Sequence, residues 1–185
     1  MLRVAIMGLA ISIRPERLED RIEIHRVHAA AFPTAAEADL VDRLRDVVSS
    51  RISLVAVVED KVVGHILFTP VTLRDGASRE QAVGLAPMAV RPEYQRQGIG
   101  SNLVLAGLDA CVQHGDSMVF VVGHPDFYPR FGFEPAASRG FHYIDEGFDP
   151  YLFVVELVDG ALHGKRGWVE YHPEFDKLEN EEDGP

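Results

Sequence analysis

The stretch that decides the fold is PEYQRQGIGSNLVLAGLDA, residues 92–110. Its second half has the apolar spacing of a helix, and Gly98 and Gly100 stand where that helix should begin. Glycine costs conformational entropy in ordered backbone, so two of them need a reason. The first N–H groups of a helix have no internal acceptor, and the helix dipole adds partial positive charge there. The stretch therefore predicts a loop that binds a large anion, with a diphosphate as the natural occupant.

Two familiar phosphate-binding motifs do not fit this loop. A P-loop has a lysine directly after its last glycine, and no lysine follows Gly100. A Rossmann fingerprint needs a third glycine at position 103, where this chain has Leu103. A tight strand-to-helix turn without a ligand remains the alternative on spacing alone.

Composition narrows the classes of function. The chain has 185 residues and a formal net charge of −11, which argues against a sequence-independent nucleic-acid binder because such proteins need a basic face. No apolar run approaches the roughly 20 residues of a membrane span, and the N-terminus lacks the features of a signal peptide. We therefore expect no nucleic-acid and no membrane partner. A single cysteine, Cys111, fits a cytoplasmic location and is predicted to be a buried packing thiol.

The order of apolar patterns predicts one mixed α/β domain over residues 11–175. Residues 1–10 are expected to be an unstructured extension, with Met7 as an alternative start, and residues 176–185 a solvated acidic tail. Predicted strands cover 11–15, 52–59, 62–73, 81–90, 117–123 and 151–158, and predicted helices cover 19–31, a segment capped by Thr34, and 98–114. Residues 74–80 are expected to be a polar loop. Pro87 interrupts its strand, which indicates a bulge or a parting of strands.

Several segments resemble one enzyme family. The run Gln95–Gly100 resembles the Q/R-x-x-G-x-G/A signature of the GCN5-related N-acetyltransferases (GNATs). The segment GHPDFYPRFGFEPA, residues 123–136, resembles the region after the fifth strand in the YhbS-like branch of that family. The opening IRPERLED and the closing GALHGKRGWVEYHPEF are also similar to that branch, so the resemblance covers roughly residues 11–175.

The resemblance implies a fold and a cofactor. The fold would be a GNAT fold of the mixed α/β (α+β) class, in which a central, mostly antiparallel, twisted sheet with splayed fourth and fifth strands is flanked by helices. Acetyl-CoA would be the co-substrate, and no metal is expected because the histidines and carboxylates lack metal-ligand spacing. The residues implied to bind acetyl-CoA are Met88, Ala89, Val90, Gln95, Arg96, Gln97, Gly98, Ile99, Gly100 and Ser101.

Three side chains are candidates for chemistry. The resemblance implies that Tyr128 protonates the leaving CoA thiolate, and an aromatic residue packed under the cofactor arm is the alternative. His124, at the end of a strand, is a candidate general base, although a histidine that only caps the strand end fits equally. Glu37 matches a glutamate of the branch and would bind the acceptor, with a capping box with Thr34 as its rival role. His65 is expected to be a core or sheet-face residue.

These features together predict an acetyl-CoA-dependent N-acetyltransferase that acts on a primary amine by direct attack in a ternary complex. The acceptor is a small molecule or a protein amine, and the formation of a homodimer is left open. A non-catalytic acyl-CoA-binding sensor or regulatory module is the alternative, because it would keep the phosphate loop and lose the chemistry.

Overall fold

The computed structural model describes residues 2–6, 9–48 and 52–178. The chain divides into two compact units: Met1–Phe68, Pro87–Gly107 and Pro173–Pro185 form the first, and Thr69–Ala86 and Leu108–His172 form the second. The architecture is mixed α/β, with mostly antiparallel strands and flanking helices, as the sequence predicts. The prediction of one domain over residues 11–175 stays a prediction. Most of the predicted acidic tail, from residue 179 onward, lies outside the described residues.

The elements up to the middle of the chain are four strands and two helices. The strands are β1 (Leu2–Ile6), β2 (Leu9–Pro15), β3 (Ile52–Val58) and β4 (Lys61–Asp75), and the helices are α1 (Arg21–Ala31) and α2 (Ala36–Val47). In the first unit, β1 pairs with β2, β2 with β3, and β3 with β4, always antiparallel. Each neighbour in this order is also the next strand in the chain, and α1 and α2 lie in the connection from β2 to β3.

The later elements are six strands and one helix. They are β5 (Ser78–Val90), α3 (Ile99–His114), β6 (Met118–Val122), β7 (Glu134–Pro135), β8 (Phe141–His142), β9 (Leu152–Glu156) and β10 (Gly167–Glu170). In the second unit, β6 and β7 pair antiparallel with β9, and β10 pairs antiparallel with β4 and parallel with β8. The elements β4, β5 and α3 contribute residues to both units.

The core of the first unit lies between the sheet and its helices. On α2, Ala38, Val41 and Leu44 recur every three residues and have no exposed surface, so they form the apolar stripe of an amphipathic helix. Val41 packs with Ile24 and Val27 of α1 against strand residues that include Val55 and Ala89. On β4, a methyl group at Gly64 would lie 3.0 Å from Leu103 of α3. Because side chains alternate along a strand, His65 points away from α3 and toward α1.

In the second unit, β5 and β6 pair parallel over only two residue pairs, Val83 with Val119 and Gly84 with Phe120. β5 itself has 13 residues, so most of its residues are not paired with β6. The burial pattern of β5 also shifts by one residue at this place, because Gly84 and Leu85 are both buried. Such a shift is what a bulge produces, and it precedes Pro87 by two residues.

Three sequence predictions need correction. Residues 2–6 are not an unstructured extension but form β1, which pairs antiparallel with β2 from Leu2 with Ile13 to Ile6 with Leu9. Residues 74–80 are not a loop: β4 continues to Asp75 and β5 begins at Ser78, since polar side chains suit an exposed hairpin end. Helix α2 begins at Ala36, and the Thr34 hydroxyl accepts the Ala36 N–H at 3.3 Å, so Glu37 stands one position too early for the expected capping box.

A buried chain of polar groups ties α1 and α2 to the sheet. His28 Nε2 lies 2.8 Å from His65 Nδ1, and His65 Nε2 lies 2.9 Å from Ser53 Oγ. The Ser53 hydroxyl donates to Glu16, and Arg45 Nε donates to the other oxygen of that carboxylate at 2.8 Å. An ionised carboxylate only accepts, so Ser53 donates to Glu16 and His65 donates from Nε2 to Ser53. Burial lowers the pKa of both histidines and keeps them neutral, so His65 Nδ1 accepts and His28 donates from Nε2.

Burial decides the charge states in this chain. Burial lowers the pKa of His28 well below its ordinary value, and the nearby cations Arg45 and, when protonated, His65 and His25 lower it further. Burial also lowers the pKa of His65, although the hydrogen bond and charge of Glu16 act in the opposite direction. Burial alone would raise the pKa of Glu16, but its hydrogen bonds to His65, Ser53 and Arg45 bring it to about 2. The fold thus needs neutral histidines beside an ionised glutamate.

Acid should destabilise the protein through this pair of histidines. Their pKa values are lower in the folded than in the unfolded chain, so their contribution is complete above about pH 6.5 and is lost as the pH falls below it. The free energy of unfolding should fall by up to about 1.4 kcal/mol per pH unit for each histidine. Denaturant unfolding between neutral and mildly acidic pH measures this slope.

The double variant His28→Phe/His65→Leu removes both partners at once, so no polar atom of the pair loses its partner. Its unfolding free energy should change little over the same pH range. His25→Gln removes a half-exposed histidine of the same helix and should keep the wild-type slope. Equal slopes for wild type and the double variant would show that the pair does not set the acid sensitivity.

Candidate functional site

The loop between β5 and α3 has an unusual backbone. A short 3₁₀ helix, Pro92–Tyr94, follows β5, and two residues then adopt left-handed conformations: Arg96 with φ of 58° and Gly98 with φ of 80°. Glycine reaches positive φ without steric cost, so Gly98 is the residue that lets the chain turn into α3. Gly100 is already helical. The conformation accounts for one of the two glycines, and for Gly100 a close approach to a ligand stays a prediction.

Two glutamine side chains hold the loop in shape. The amide of Gln95 donates to the carbonyl of Val90 at 2.9 Å, and that of Gln97 donates to the carbonyl of Glu93 at 3.1 Å. These bonds satisfy loop carbonyls from within, so the loop keeps its form without a ligand. Both glutamines support the backbone through their side chains, and their contact with acetyl-CoA stays a prediction.

The start of α3 presents free helix donors. The first backbone bond of the helix runs from the Asn102 N–H to the Gly98 carbonyl at 3.0 Å. The N–H groups of Ile99, Gly100 and Ser101 precede it and have no intrahelical acceptor. The helix dipole adds to their partial positive charge. This array is suited to a diphosphate, as the sequence predicts, and the exposed Arg96 lies within the same loop.

An ion pair that the sequence reading missed fixes the start of the loop. Arg91 donates to Glu23 of α1 at 3.0 Å, and its N–H donates to the carbonyl of Val63 at 2.9 Å. Because the partners are 68 residues apart, no local pattern could reveal them. The last residues of β5 before this anchor, Met88 and Val90, are half-buried, whereas Ala89 is buried against α1.

In the second unit, Tyr128 begins a short 3₁₀ helix, Tyr128–Phe131, that follows β6. Its ring packs edge-on against Phe127 at 5.1 Å and Phe133 at 5.6 Å between centroids. It also lies directly over Gly123, where a methyl group would be 2.2 Å from Cε2 of the ring. Burial raises the pKa of Tyr128 to about 12, so the phenol keeps its proton at neutral pH. That state is the one a proton donor needs.

The other two candidate side chains have different surroundings. His124 is exposed just after β6, and its carbonyl accepts the N–H of Phe127 at 3.0 Å. This backbone bond begins the turn that places Tyr128. Glu37 is half-buried in the first turn of α2, within the first unit. The two residues belong to different compact units.

Further findings limit the chemistry of the described residues. Cys111 is fully buried in α3, as predicted, and burial raises its pKa to about 12, so a covalent role has no support. Within residues 2–6, 9–48 and 52–178, no group of three or more histidine, cysteine or carboxylate side chains could hold a metal ion. No helix in the described part of the chain is both long and apolar enough to cross a membrane.

Comparison with known sequences points to one family. The family model described as the acetyltransferase (GNAT) domain matches residues 12–136. The chain is 37% identical over 167 residues to the uncharacterized N-acetyltransferase YhbS of Escherichia coli K12, which covers 90% of this chain and 99% of YhbS. It is also 44% identical over 121 residues to the uncharacterized N-acetyltransferase YjhQ of the same strain, which covers 64% of this chain and 67% of YjhQ.

Solved structures agree with the sequence comparison. The crystal structure of E. coli YhbS in complex with CoA matches with a TM-score of 0.84 and 36% identity, over 91% of this chain and 93% of YhbS. A GNAT family acetyltransferase from Brucella melitensis in complex with acetyl-CoA matches with a TM-score of 0.73 and 31% identity, over 90% of this chain and 98% of that protein. Together with the N–H array at the start of α3, these matches establish that the chain belongs to the GNAT family of acetyltransferases.

Proposed function

We propose that this protein transfers the acetyl group of acetyl-CoA to a primary amine by direct attack in a ternary complex. The observation that carries the proposal is the loop before α3, whose left-handed Gly98 and unpaired helix N–H groups form a ready site for a diphosphate. The relatives from E. coli and B. melitensis are bound to CoA and acetyl-CoA, which supports the same ligand here. A cytoplasmic location stays a prediction, and the formation of a homodimer stays open.

The loop and the end of β5 would hold acetyl-CoA. The N–H groups of Ile99, Gly100 and Ser101 would bind the pyrophosphate, with Gly98 shaping the turn and Arg96 adding positive charge. Gln95 and Gln97 would act through the backbone that they brace. Met88, Ala89 and Val90 would offer backbone groups to the pantetheine arm, because Pro87 before them has no N–H to donate.

Tyr128 would complete the transfer by proton donation. The neutral amine attacks the thioester carbonyl, the C–N bond forms and the C–S bond breaks, and the leaving sulfur takes the phenol proton of Tyr128. The surplus proton on the new amide nitrogen then restores the phenol through solvent. Burial raises the pKa of Tyr128 to about 12, so the phenol is protonated when the thiolate forms, and its position after β6 is what supports the role. His124 as the base that neutralises the amine, and Glu37 as an acceptor-binding residue, remain predictions.

Replacing Tyr128 with phenylalanine should separate chemistry from binding. The variant keeps the ring packing and loses the proton, so kcat should fall at least about tenfold while the KM for acetyl-CoA stays the same. Steady-state release of the CoA thiol with an active amine measures both constants. The control is Tyr151→Phe, which removes the hydroxyl of a half-exposed tyrosine in the same unit. Unchanged turnover in the Tyr128 variant would remove this residue from the mechanism.

Replacing Gly98 with alanine should weaken CoA binding. A side chain at φ of 80° costs about 1 kcal/mol, so either the loop shifts or the affinity falls by about fivefold. Isothermal titration with CoA measures the affinity. Gly115→Ala is the matched control, because Gly115 also has a positive φ of 91° and open space around its Cα but lies at the far end of α3. Equal CoA affinities for both variants would argue against the loop as the phosphate site.

The alternative function is an acyl-CoA-binding sensor or regulatory module without turnover. Release of CoA thiol from acetyl-CoA should be followed with benzylamine, tyramine, spermidine and a lysine-containing peptide, and CoA binding should be measured in parallel. We expect thiol release with at least one amine. Tight CoA binding without release from any of them would favour the module, and absence of both would contradict the phosphate-site assignment.

A further inference from the structure

The core of the second unit has a partly exposed border. Its buried side chains include Val71 of β4 and Phe120 of β6, and three half-buried residues pack against them: Val122, Tyr143 and Tyr171. Two of the three carry phenols. Tyr143 and Tyr171 contact each other edge-on, with 5.3 Å between ring centroids. This border is therefore aromatic and also rich in hydroxyl groups.

Tyr171 lies where the pairing of β5 with β6 ends. A methyl group at Gly84 would be 2.5 Å from Cε1 of Tyr171 and 2.6 Å from Cγ1 of Val71, so the phenol ring fills the space that a side chain at Gly84 would take. Gly84 pairs with Phe120, the last residue of β6 in the two-pair register. The Tyr171 hydroxyl is 3.4 Å from the Phe120 carbonyl, which is long for a bond between oxygens and therefore weak.

Thr69 has a buried hydroxyl without a partner. The side-chain amide of Gln81 donates to Thr72 at 3.3 Å, so these residues face each other across the β4–β5 hairpin. In an antiparallel pair, three residues before Thr72 on β4 correspond to three residues after Gln81 on β5. The same register therefore places Thr69 opposite Gly84. Thr69 is 1% exposed, and its Oγ1 has no hydrogen-bond partner among the residues that the structure describes. Buried hydroxyls are nearly always paired, so this one indicates a polar partner beyond the described residues.

The side chains nearest to Gly84, those of Tyr171 and Val71, are uncharged at neutral pH. Burial raises the pKa of Tyr171 well above its ordinary value, and the neighbouring phenols of Tyr143 and Tyr128 raise it further. Tyr128 is thus close enough to Tyr171 for their charges to interact. A low-dielectric surrounding of neutral hydroxyls and rings disfavours an ammonium ion and favours a neutral amine. An amine has to be neutral to attack a carbonyl carbon.

We propose that Thr69 and Tyr171 form the subsite for the acceptor, which is a neutral primary amine on an aromatic or apolar body. The Thr69 hydroxyl accepts an N–H of the amine, and the Tyr171 ring packs against the body. Because Thr69 is buried, the amine reaches it by displacing the half-exposed Tyr171 ring from Gly84. This inference rests on the proposed acetyl transfer and adds the class of acceptor and the residues that select it.

Steady-state kinetics with benzylamine tests the role of Thr69. Thr69→Val keeps the shape and removes the hydroxyl, so the KM for benzylamine should rise by about three- to tenfold while the KM for acetyl-CoA stays the same. The melting temperature should not fall, because the lost hydroxyl has no partner in the chain. Thr69→Ser should restore the KM, and Thr72→Val, which removes a hydroxyl of the same strand, should leave it unchanged. An unchanged KM in Thr69→Val would overturn the proposal.

Comparison of two amines tests the role of Tyr171. Tyr171→Leu removes the ring and should raise the KM for benzylamine more than the KM for n-butylamine, whereas Tyr171→Phe keeps the ring and the preference. A preference for spermidine over benzylamine in the wild type would overturn the assignment of an apolar acceptor.

Binding gives a test that does not need turnover. In the presence of saturating CoA and at alkaline pH, benzylamine should raise the melting temperature of the wild type and of Thr72→Val, but not that of Thr69→Val. If no amine releases thiol, the proposed transfer fails, and this shift alone decides the subsite. An equal shift in all three proteins, or none in the wild type, would overturn the subsite whatever the kinetics show.

Discussion

The early end of the pairing between β5 and β6 is the constraint on which the candidate chemistry depends. Two parallel strands usually continue side by side, yet these share only Val83 with Val119 and Gly84 with Phe120. Backbone groups that lose a strand partner need another one. Where this pairing ends, Gly84 lies beside the phenol of Tyr171, whose hydroxyl is near the Phe120 carbonyl. Further along β5, Pro87 has no N–H to donate. In the proposed function, the amide groups of the acetyl-CoA arm are that partner.

A second feature, the buried chain from His28 to Glu16, connects elements that the sheet alone does not join. It takes one group each from α1, α2, β3 and β4 and fixes the tautomer of every imidazole in it. The Glu23–Arg91 ion pair extends this support from α1 to the start of the loop between β5 and α3. Apolar packing holds the helices on the sheet, and these polar contacts specify in which position they are held.

Local chemistry was predictable from sequence, and long-range chemistry was not. Gly98 and the helix after it could be predicted because a positive φ and an apolar stripe each leave a signal within a few residues. The hairpin end near Gly76 was mistaken for a loop, since exposed strand residues and loop residues have the same polarity. His65 was expected only as a core or sheet-face residue, because its partner His28 is 37 positions away. Thr69 and Tyr171 gave no sequence signal, because their roles depend on which residues face Gly84 across the fold.

The burial of the single cysteine has a practical consequence. Cys111 is the only thiol of the chain, it has no exposed surface in α3, and its proton is held far more tightly than that of a thiol in water. Disulfide reagents react with thiolates, so the folded protein should not react with them. Any colour that such a reagent develops then reports the coenzyme product and not the enzyme. Because Cys111 does not react, a single cysteine engineered on the surface could be labelled with a spectroscopic probe without competition from it.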